Sequence, residues 1–186
     1  MRLYIILGYL MQWVMLGQQK NLNSIKITKV ECIPNSHWVG DVECFLKPLK
    51  NRSIQIQAKI PVIKPINSVK FHVQIFRWHS GFRPYLVDFW FDFCDIMSNP
   101  KGMNSLMKPF YTLITKYSTL NHPCPIEVSP DKGLVEIPPV VPDLSVFPSM
   151  LVTGVYLLNL TAVEKALNQW MFTLKVKGEV SSDLKE

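Results

Sequence analysis

The chain has 186 residues, of which 48% are hydrophobic and 18% are charged, and this length and balance suit one domain with a sizeable core. Lys and Arg outnumber Asp and Glu by 20 to 14, which gives a formal net charge of +6. Because no long run of like charge and no basic helix face accompanies this excess, nucleic-acid binding is disfavoured. A mild attraction to anionic membranes or glycans is left open.

The N-terminal segment has the pattern of a secretory signal peptide. Arg2 supplies a positive charge, residues 3–16 are almost entirely apolar, and Gly17 precedes a polar stretch. A membrane-spanning helix needs roughly 20 apolar residues, so this run is too short to be an anchor. The sequence predicts a cleaved signal over residues 1–17 and one secreted, extracellular domain over residues 18–186, with no transmembrane segment in the mature chain.

All four cysteines lie in the predicted mature region: Cys32, Cys44, Cys94 and Cys124. An even number behind a signal peptide predicts two disulfides, and the three possible connectivities are open at this point. A zinc site is disfavoured because no C-x-x-C pair occurs and the histidines do not cluster at ligand spacing, so no metal and no cofactor is predicted. Two acceptor sequons begin at Asn51 and Asn159, and each predicts an N-glycan if its asparagine is exposed.

Two-residue alternation of apolar and polar side chains dominates the mature sequence and predicts half-buried β-strands. The clearest case is residues 54–62, and residues 69–75 and 85–93 form a hairpin around turn residues at 80–84. Further strands are predicted at residues 25–33, 42–46, 134–137, 152–160 and 170–180. About eight strands at this spacing predict a mainly β fold, an antiparallel two-sheet sandwich.

One segment changes from alternation to helical spacing. Apolar residues recur at three- and four-residue intervals from Met103 to Tyr117, which predicts a short helical insertion around residues 103–118. Pro109 lies in its middle and should either kink the helix or begin a second one. The apolar stripe either packs on the sheet or lines a ligand site. The proline-rich stretch 138–148 is predicted to be an irregular surface crossing, because proline is excluded from central strands.

The sequence contains none of the motifs that announce catalysis, such as a G-x-S-x-G elbow, a P-loop or an H-E-x-x-H pair. Asp88 and Asp92 share a strand face and Asp95 follows closely, and paired carboxylates at such spacing can hydrolyse glycosides. No acid–base partner or groove accompanies them, so a solvated polar face is the better interpretation. The protein is therefore predicted not to be an enzyme.

Large apolar side chains are in excess between residues 71 and 93, where both faces of one predicted strand carry aromatic rings. A sandwich has a single interior, so this surplus covers a helix, forms an interface or lines a cavity between the sheets. Core packing alone is the remaining interpretation. For a cavity, the candidate ligand-binding residues are Phe71, Val73, Phe89, Phe91, Leu106, Phe110 and Leu113.

Six short segments carry a resemblance to a known family. They are residues 27–32, 44–47, 81–86, 92–94, 121–126 and 154–156, with the sequences ITKVEC, CFLK, GFRPYL, DFC, NHPCPI and GVY. The order of these segments, and the positions of the cysteines within it, make the chain resemble a large insect family of secreted proteins of unknown function. That family is grouped with the lipid-recognition (ML-type) β-sandwiches. The resemblance covers about residues 25–160.

The resemblance implies an immunoglobulin-like two-sheet sandwich that opens to admit a lipid, as in sterol carriers, the ganglioside activator and the endotoxin co-receptor. It also implies the disulfide pairing, Cys32 with Cys44 and Cys94 with Cys124, and insect members are linked to contact chemosensation and pheromone response. The resulting hypothesis is a secreted, non-enzymatic binding protein for a lipid or pheromone-like ligand, with a role in chemosensation. The alternative is a secreted accessory protein that acts on a cell-surface receptor and has a packed core without a cavity.

Overall fold

A computed structural model of the protein describes residues 23–50, 54–121, 123–128, 133–141 and 151–182. The predicted signal segment and the sequon at Asn51 lie outside these residues. In chain order the elements are β1 (Asn23–Pro34), β2 (Glu43–Pro48), β3 (Ile54–Pro61), β4 (Val69–Trp78), β5 (Phe82–Asp92), α1 (Phe93–Ser98), a 3-10 turn (Pro100–Gly102), α2 (Lys108–Tyr117), β6 (Leu134–Val140), β7 (Gly154–Glu164) and β8 (Gln169–Ser182).

The strands of the described residues form two antiparallel sheets. The larger sheet has the strand order β1-β8-β7-β4-β5, and the smaller sheet has the order β2-β3-β6. The predicted mainly β fold with two sheets is confirmed, and β4 and β5 form the predicted hairpin. Two sheets packed face to face lie about 10 Å apart and share one layer of inward side chains, so the core lies in this layer.

β4 shows how the alternating pattern gives the sheet one buried face. It is a central strand that pairs with both β5 and β7, so the side chains on its inner face pack in the core. The polar side chains between the inward ones point to the outer face. Burial stabilises the fold by roughly 1.5–3 kcal/mol for each large apolar side chain. The buried inner row consists of Val69, Phe71, Val73 and Ile75.

β5 ends one residue earlier than its apolar pattern predicts. The sequence predicts a strand that includes Phe93, but Asp92 is the last strand residue and Phe93 begins α1. The Asp92 carboxylate accepts a hydrogen bond from the backbone N–H of Asp95 at 3.0 Å. This bond satisfies one of the amide groups that the start of a helix leaves without a partner. Phe93 is nevertheless fully buried, so the core keeps this ring.

The helical insertion around residues 103–118 is present as α2, which is shorter than the apolar stripe. Residues 103–107 are turn and irregular backbone, and Pro109 lies in the first turn of α2. Proline is favoured there because the backbone nitrogen at that position has no acceptor within the helix. Of the two roles predicted for Pro109, beginning a helix is therefore the correct one.

The prolines at 138 and 139 lie within β6, so the predicted irregular crossing over residues 138–148 is wrong for its first residues. β6 is one of the two edge strands of the smaller sheet, and proline is tolerated at an edge because one side of the backbone needs no hydrogen-bond partner. The register between β3 and β6 shifts beside these prolines, between Ile56 and Ala58. Residues 142–148 lie outside the described part of the chain.

Two disulfides join neighbouring elements of the sandwich. Cys32–Cys44 connects β1 of the larger sheet to β2 of the smaller sheet, and Cys94–Cys124 connects α1 to the segment after α2. This is the pairing that the resemblance implies. Among the described residues, no helix is long and apolar enough to span a membrane.

Candidate ligand cavity between the sheets

The layer between the two sheets contains a cavity of about 280 Å³. The smaller sheet has three strands and the larger sheet has five, so strands alone leave part of the larger sheet's inner face uncovered. α2 lies against β6, and its Phe110 ring packs on Phe89 of β5 with centroids 5.7 Å apart. The helix therefore bridges the two sheets and forms one wall of the cavity.

The inward rows of both sheets and one face of α2 line the cavity. β4 contributes Phe71 and Ile75, and β3 contributes Ile56, Ala58 and Ile60 from the opposite side. Residues three and four positions apart lie on one face of a helix. The residues of α2 that line the cavity have this spacing: Phe110, Leu113, Ile114 and Tyr117.

The cavity wall is almost entirely hydrocarbon, and no Asp, Glu, Lys, Arg or His is among its lining residues in the described part of the chain. Its hydroxyl groups belong to Tyr117, Ser118 and Tyr156. The Tyr156 hydroxyl donates to the carbonyl of Val152 at 2.8 Å, and Ser118 Oγ donates to the carbonyl of Ile114 at 2.6 Å. The hydroxyl groups of Ser118 and Tyr156 therefore both donate hydrogen bonds to backbone carbonyls of the protein.

The cavity wall is also electrically neutral. Burial raises the pKa of the Tyr156 hydroxyl above its ordinary value of 10.0, and the neighbouring Tyr85 acts in the same direction. Tyr156 is therefore uncharged at physiological pH. Because transfer of a charged or unpaired polar group into such surroundings costs several kcal/mol, this wall favours an apolar guest.

The structure places three of the seven candidate binding residues on the cavity wall: Phe71, Phe110 and Leu113. Phe89 is half-buried and packs on Phe110, and Leu106 precedes α2 with 42% of its surface exposed. Val73 and Phe91 are buried in the core but are not part of the wall. A ligand-binding role for any of the seven stays a prediction.

Most of the wall consists of residues outside that candidate set. The inward rows of β3, β7 and β8 contribute, with Ile56, Leu158 and Leu174 as examples. The sequence marks these residues by their alternation in predicted strands. Alternation shows which side chains face inward, but it does not separate a tightly packed position from one that faces a cavity.

The acidic residues of β5 have structural partners on the outer side of the larger sheet. Asp88 accepts a hydrogen bond from Gln74 Nε2 at 3.0 Å and pairs with His72 Nε2 at 2.6 Å, and these contacts lower its pKa. Burial raises the pKa of Asp92, but the Lys165 ammonium at 2.5 Å and a backbone amide outweigh it, and the net shift is downward. In the described residues, no group of three or more His, Cys, Asp or Glu is arranged to hold a metal ion.

The second sequon lies on the outer face of β7, in the middle of the larger sheet. Asn159 is half-buried, and its Nδ2 donates to Gln74 Oε1 at 3.2 Å. The hydroxyl of Thr161, which completes the sequon, lies 3.2 Å from that of Thr173. The Asn159 amide nitrogen and the Thr161 hydroxyl therefore have partners in the fold, whereas Asn159 Oδ1 is buried without a hydrogen-bond partner, and glycosylation of Asn159 stays a prediction.

Residues 71–158 match the model of a family described as "Protein of unknown function (DUF1091)". The matched segment runs from β4 to the first residues of β7 and includes both helices and the Cys94–Cys124 disulfide. No curated protein matches the chain. The match agrees with the expected likeness to an uncharacterised family, whereas the likeness to lipid-recognition sandwiches and the restriction to insects stay predictions.

Proposed function

We propose that the protein is a secreted, non-enzymatic carrier that holds a hydrophobic small molecule, a lipid or pheromone-like hydrocarbon, between its two sheets. The observation that carries the proposal is the cavity of about 280 Å³ with a hydrocarbon wall. Ligand pockets in proteins have volumes from roughly 300 Å³ upward and are lined mainly by apolar side chains. The cavity volume lies just below that range, so a small ligand or a single hydrocarbon chain of a larger one suits it.

An apolar cavity without a ligand lowers the stability of a small domain. Side chains that line free space lose the dispersion contacts that packed neighbours would supply, and the wall of this cavity consists of such side chains. The total free energy of unfolding of a protein is only about 5–15 kcal/mol. A ligand that fills the space therefore stabilises the folded state, and binding and stability are coupled.

The wall also determines which part of a ligand enters the cavity. A carboxylate or ammonium group would lose its hydration without gaining a charged partner, because no Asp, Glu, Lys, Arg or His of the described residues lines the wall. An alkyl or acyl chain has no such cost and gains about 0.8 kcal/mol for each buried CH₂ group. In this proposal the cavity holds the hydrocarbon part of the ligand, and any polar end group lies outside it.

Secretion and the lack of enzymatic activity belong to the same proposal. Cys32, Cys44, Cys94 and Cys124 are all in disulfides, which persist in oxidising compartments outside the cytosol. Asp88, an acidic residue considered for catalysis, is engaged by Gln74 and His72 on the outer face. A role in chemosensation rests on the family resemblance and on the apolar character of the cavity.

Displacement of an apolar fluorescent probe tests the proposal. The secreted protein is stripped of bound lipid and titrated with N-phenyl-1-naphthylamine, and the probe is then displaced by an alkane, by a long-chain alcohol and by a dicarboxylic acid of equal length. We expect one probe molecule to bind per chain. The alkane and the alcohol should displace it, and the dicarboxylic acid should not, because both of its ends are charged.

A matched pair of variants on β3 assigns the binding to the cavity. Ala58 is buried and faces the cavity, whereas the side chain of the adjacent residue, Gln57, points to the opposite face of the sheet. Ala58→Phe should weaken probe binding at least tenfold because the ring occupies the cavity, and Gln57→Phe should leave it unchanged. Probe binding that is absent, or equal in both variants, contradicts the carrier function and favours an accessory protein that acts through its surface.

A further inference from the structure

The turn between β4 and β5 presents an exposed tryptophan ring that packs on a half-buried phenylalanine ring. Trp78 ends β4 and Phe82 begins β5, and their ring centroids lie 5.1 Å apart in a T-shaped arrangement. The turn between them is closed by a hydrogen bond from the His79 N–H to the carbonyl of Gly81 at 2.7 Å. Trp78 is 53% exposed, so a tight turn holds a large apolar ring in solvent.

The exposed apolar surface continues along β5. Leu86 is 63% exposed and has a φ of +54°. It lies where the register between β4 and β5 shifts, between the pairs Gln74↔Asp88 and Phe76↔Pro84. A non-glycine residue in this left-handed conformation carries backbone strain, and such strain is concentrated at functional surfaces. Large exposed apolar side chains grouped at one place mark a site of contact with a protein or a membrane.

Basic residues flank these rings on both faces of the sheet. Lys177 lies beside the Phe82 ring, whereas Arg77 and Arg83, adjacent to Trp78 and Phe82 in the strands, point to the other face. Arg77 and Arg83 lie directly opposite each other in the β4–β5 pairing, an arrangement of like charges that destabilises a sheet unless an anion is nearby. Arg77 donates to the carbonyl of Thr153 at 3.0 Å, and Lys177 Nζ lies 5.9 Å from the Phe82 ring. Within the described residues, none of the three forms a salt bridge. Together the six residues form the basic aromatic tip: Arg77, Trp78, Phe82, Arg83, Leu86 and Lys177.

The opposite end of the sandwich differs from the tip in its acidic groups. β7 and β8 meet there, Leu167 and Trp170 are exposed, and Lys70 lies 5.0 Å from the exposed Trp90 ring. That end also carries the carboxylates of Asp92 and Asp95, which pair with Lys165 at 2.5 Å and 3.5 Å. Both ends therefore expose apolar groups and cations, but these salt bridges to carboxylates lie at the opposite end and not at the tip.

We propose that the basic aromatic tip docks the protein on an anionic lipid bilayer. Tryptophan and phenylalanine are favoured at the boundary between headgroups and acyl chains, and arginine and lysine bind lipid phosphates and are attracted to an anionic surface. The cations of the tip therefore match the lipid phosphates of such a surface, and its apolar side chains match the boundary between headgroups and acyl chains.

The tip is also close to the ligand cavity. Arg77 pairs in register with Tyr156, its guanidinium lies 6.0 Å from the Tyr156 ring, and Tyr156 lines the cavity. Docking would bring this end of the cavity against the lipid surface. The docking stands apart from the proposed carrier function, and only its purpose, exchange of a hydrocarbon chain with the membrane, rests on that function.

Vesicle co-sedimentation tests the docking. The secreted protein is mixed with phosphatidylcholine vesicles and with vesicles that contain about 30% phosphatidylserine. We expect binding to the anionic vesicles only, and loss of it at about 1 M salt, where exposed charges are screened. Each basic residue contributes roughly fivefold to affinity, so Arg83→Glu, which changes the charge by two units, should weaken binding roughly 25-fold.

Two tryptophan variants locate the contact. Trp78→Ser should weaken vesicle binding roughly tenfold, whereas Trp170→Ser at the opposite end should leave it unchanged. Equal losses in both variants, equal binding to neutral vesicles, or binding to a soluble acidic protein without binding to vesicles would overturn the proposal. A thermal melt checks that each variant is folded, and probe binding in the absence of vesicles tests the carrier function separately.

Discussion

Val69 and Val73 lie on the same inward face of β4, and both are almost completely buried, at 2% and 0% exposure. Val69 lines the cavity, whereas Val73 does not. The same substitution at both positions, Val69→Phe and Val73→Phe, therefore separates a side chain that faces free space from one that faces packed neighbours. The pair differs in surroundings but not in residue type, strand or direction.

The two variants should change stability in opposite directions. Phenylalanine adds four carbon atoms to the valine side chain, and at about 0.8 kcal/mol per buried CH₂ group this gives an upper limit of about 3 kcal/mol. At Val69 the added atoms fill part of the cavity of about 280 Å³, so we expect the free energy of unfolding to rise by about 1–3 kcal/mol. At Val73 the ring overpacks the core, which typically costs about 1–3 kcal/mol.

Urea unfolding of the lipid-free protein, followed by tryptophan fluorescence, measures both changes. A domain of this size shifts its Tm by about 2–4 °C per kcal/mol, so thermal unfolding should show Val69→Phe above the unsubstituted protein and Val73→Phe below it. Val69→Phe should at the same time bind the apolar probe more weakly. If both variants are destabilised to the same extent, the interior is fully packed and the cavity is not available to a ligand.

Asp92→Asn keeps the helix cap and removes the charge. Because the pKa of Asp92 is lowered in the folded state, the unsubstituted protein should lose stability as the pH falls below the ordinary value of 3.8; the variant should lose less in urea titrations over that range, and equal acid sensitivity would refute this. Removing Cys94–Cys124, which closes a loop of 30 residues, by a double alanine substitution should cost about 3.6 kcal/mol in the chain-entropy model, and a loss below about 1 kcal/mol in urea unfolding would contradict it. Gly154→Ala should lower the Tm, because φ is +156° and an added Cβ would lie 3.1 Å from a neighbouring guanidinium; Gly102→Ala, with no atom within 4 Å, is the neutral control in the same thermal melt.

The sheet structure is largely predictable from the sequence because alternation is a local signal. In β4 the polar residues at 70, 72 and 74 separate the buried ones, and no other arrangement buries only the apolar set. The end of β5 was not predictable from alternation, since Phe93 continues the apolar row. The cap formed by Asp92 decides that boundary, and capping requires a backbone turn that periodicity does not report.

The cavity could not be read from the sequence for a different reason. Its volume depends on how far apart the two sheets lie and on where α2 covers the gap, and both are set by long-range packing. Aromatic rings suggested a wall of Phe89 and Phe91, but the Phe89 ring packs on α2. The aliphatic residues Ile56 and Leu158 line the cavity instead, and in sequence they resemble ordinary core residues.

The most direct test of the carrier function is to identify what the native protein holds. Protein purified from its natural source without detergent is extracted with organic solvent, and the extract is analysed by mass spectrometry beside an equal amount of Ala58→Phe protein exposed to the same lipids. We expect a molecule with a long hydrocarbon chain, close to one per native chain and strongly depleted in the variant. Native protein that releases no lipid, and whose lipid-free form binds no apolar probe, would contradict the proposed function.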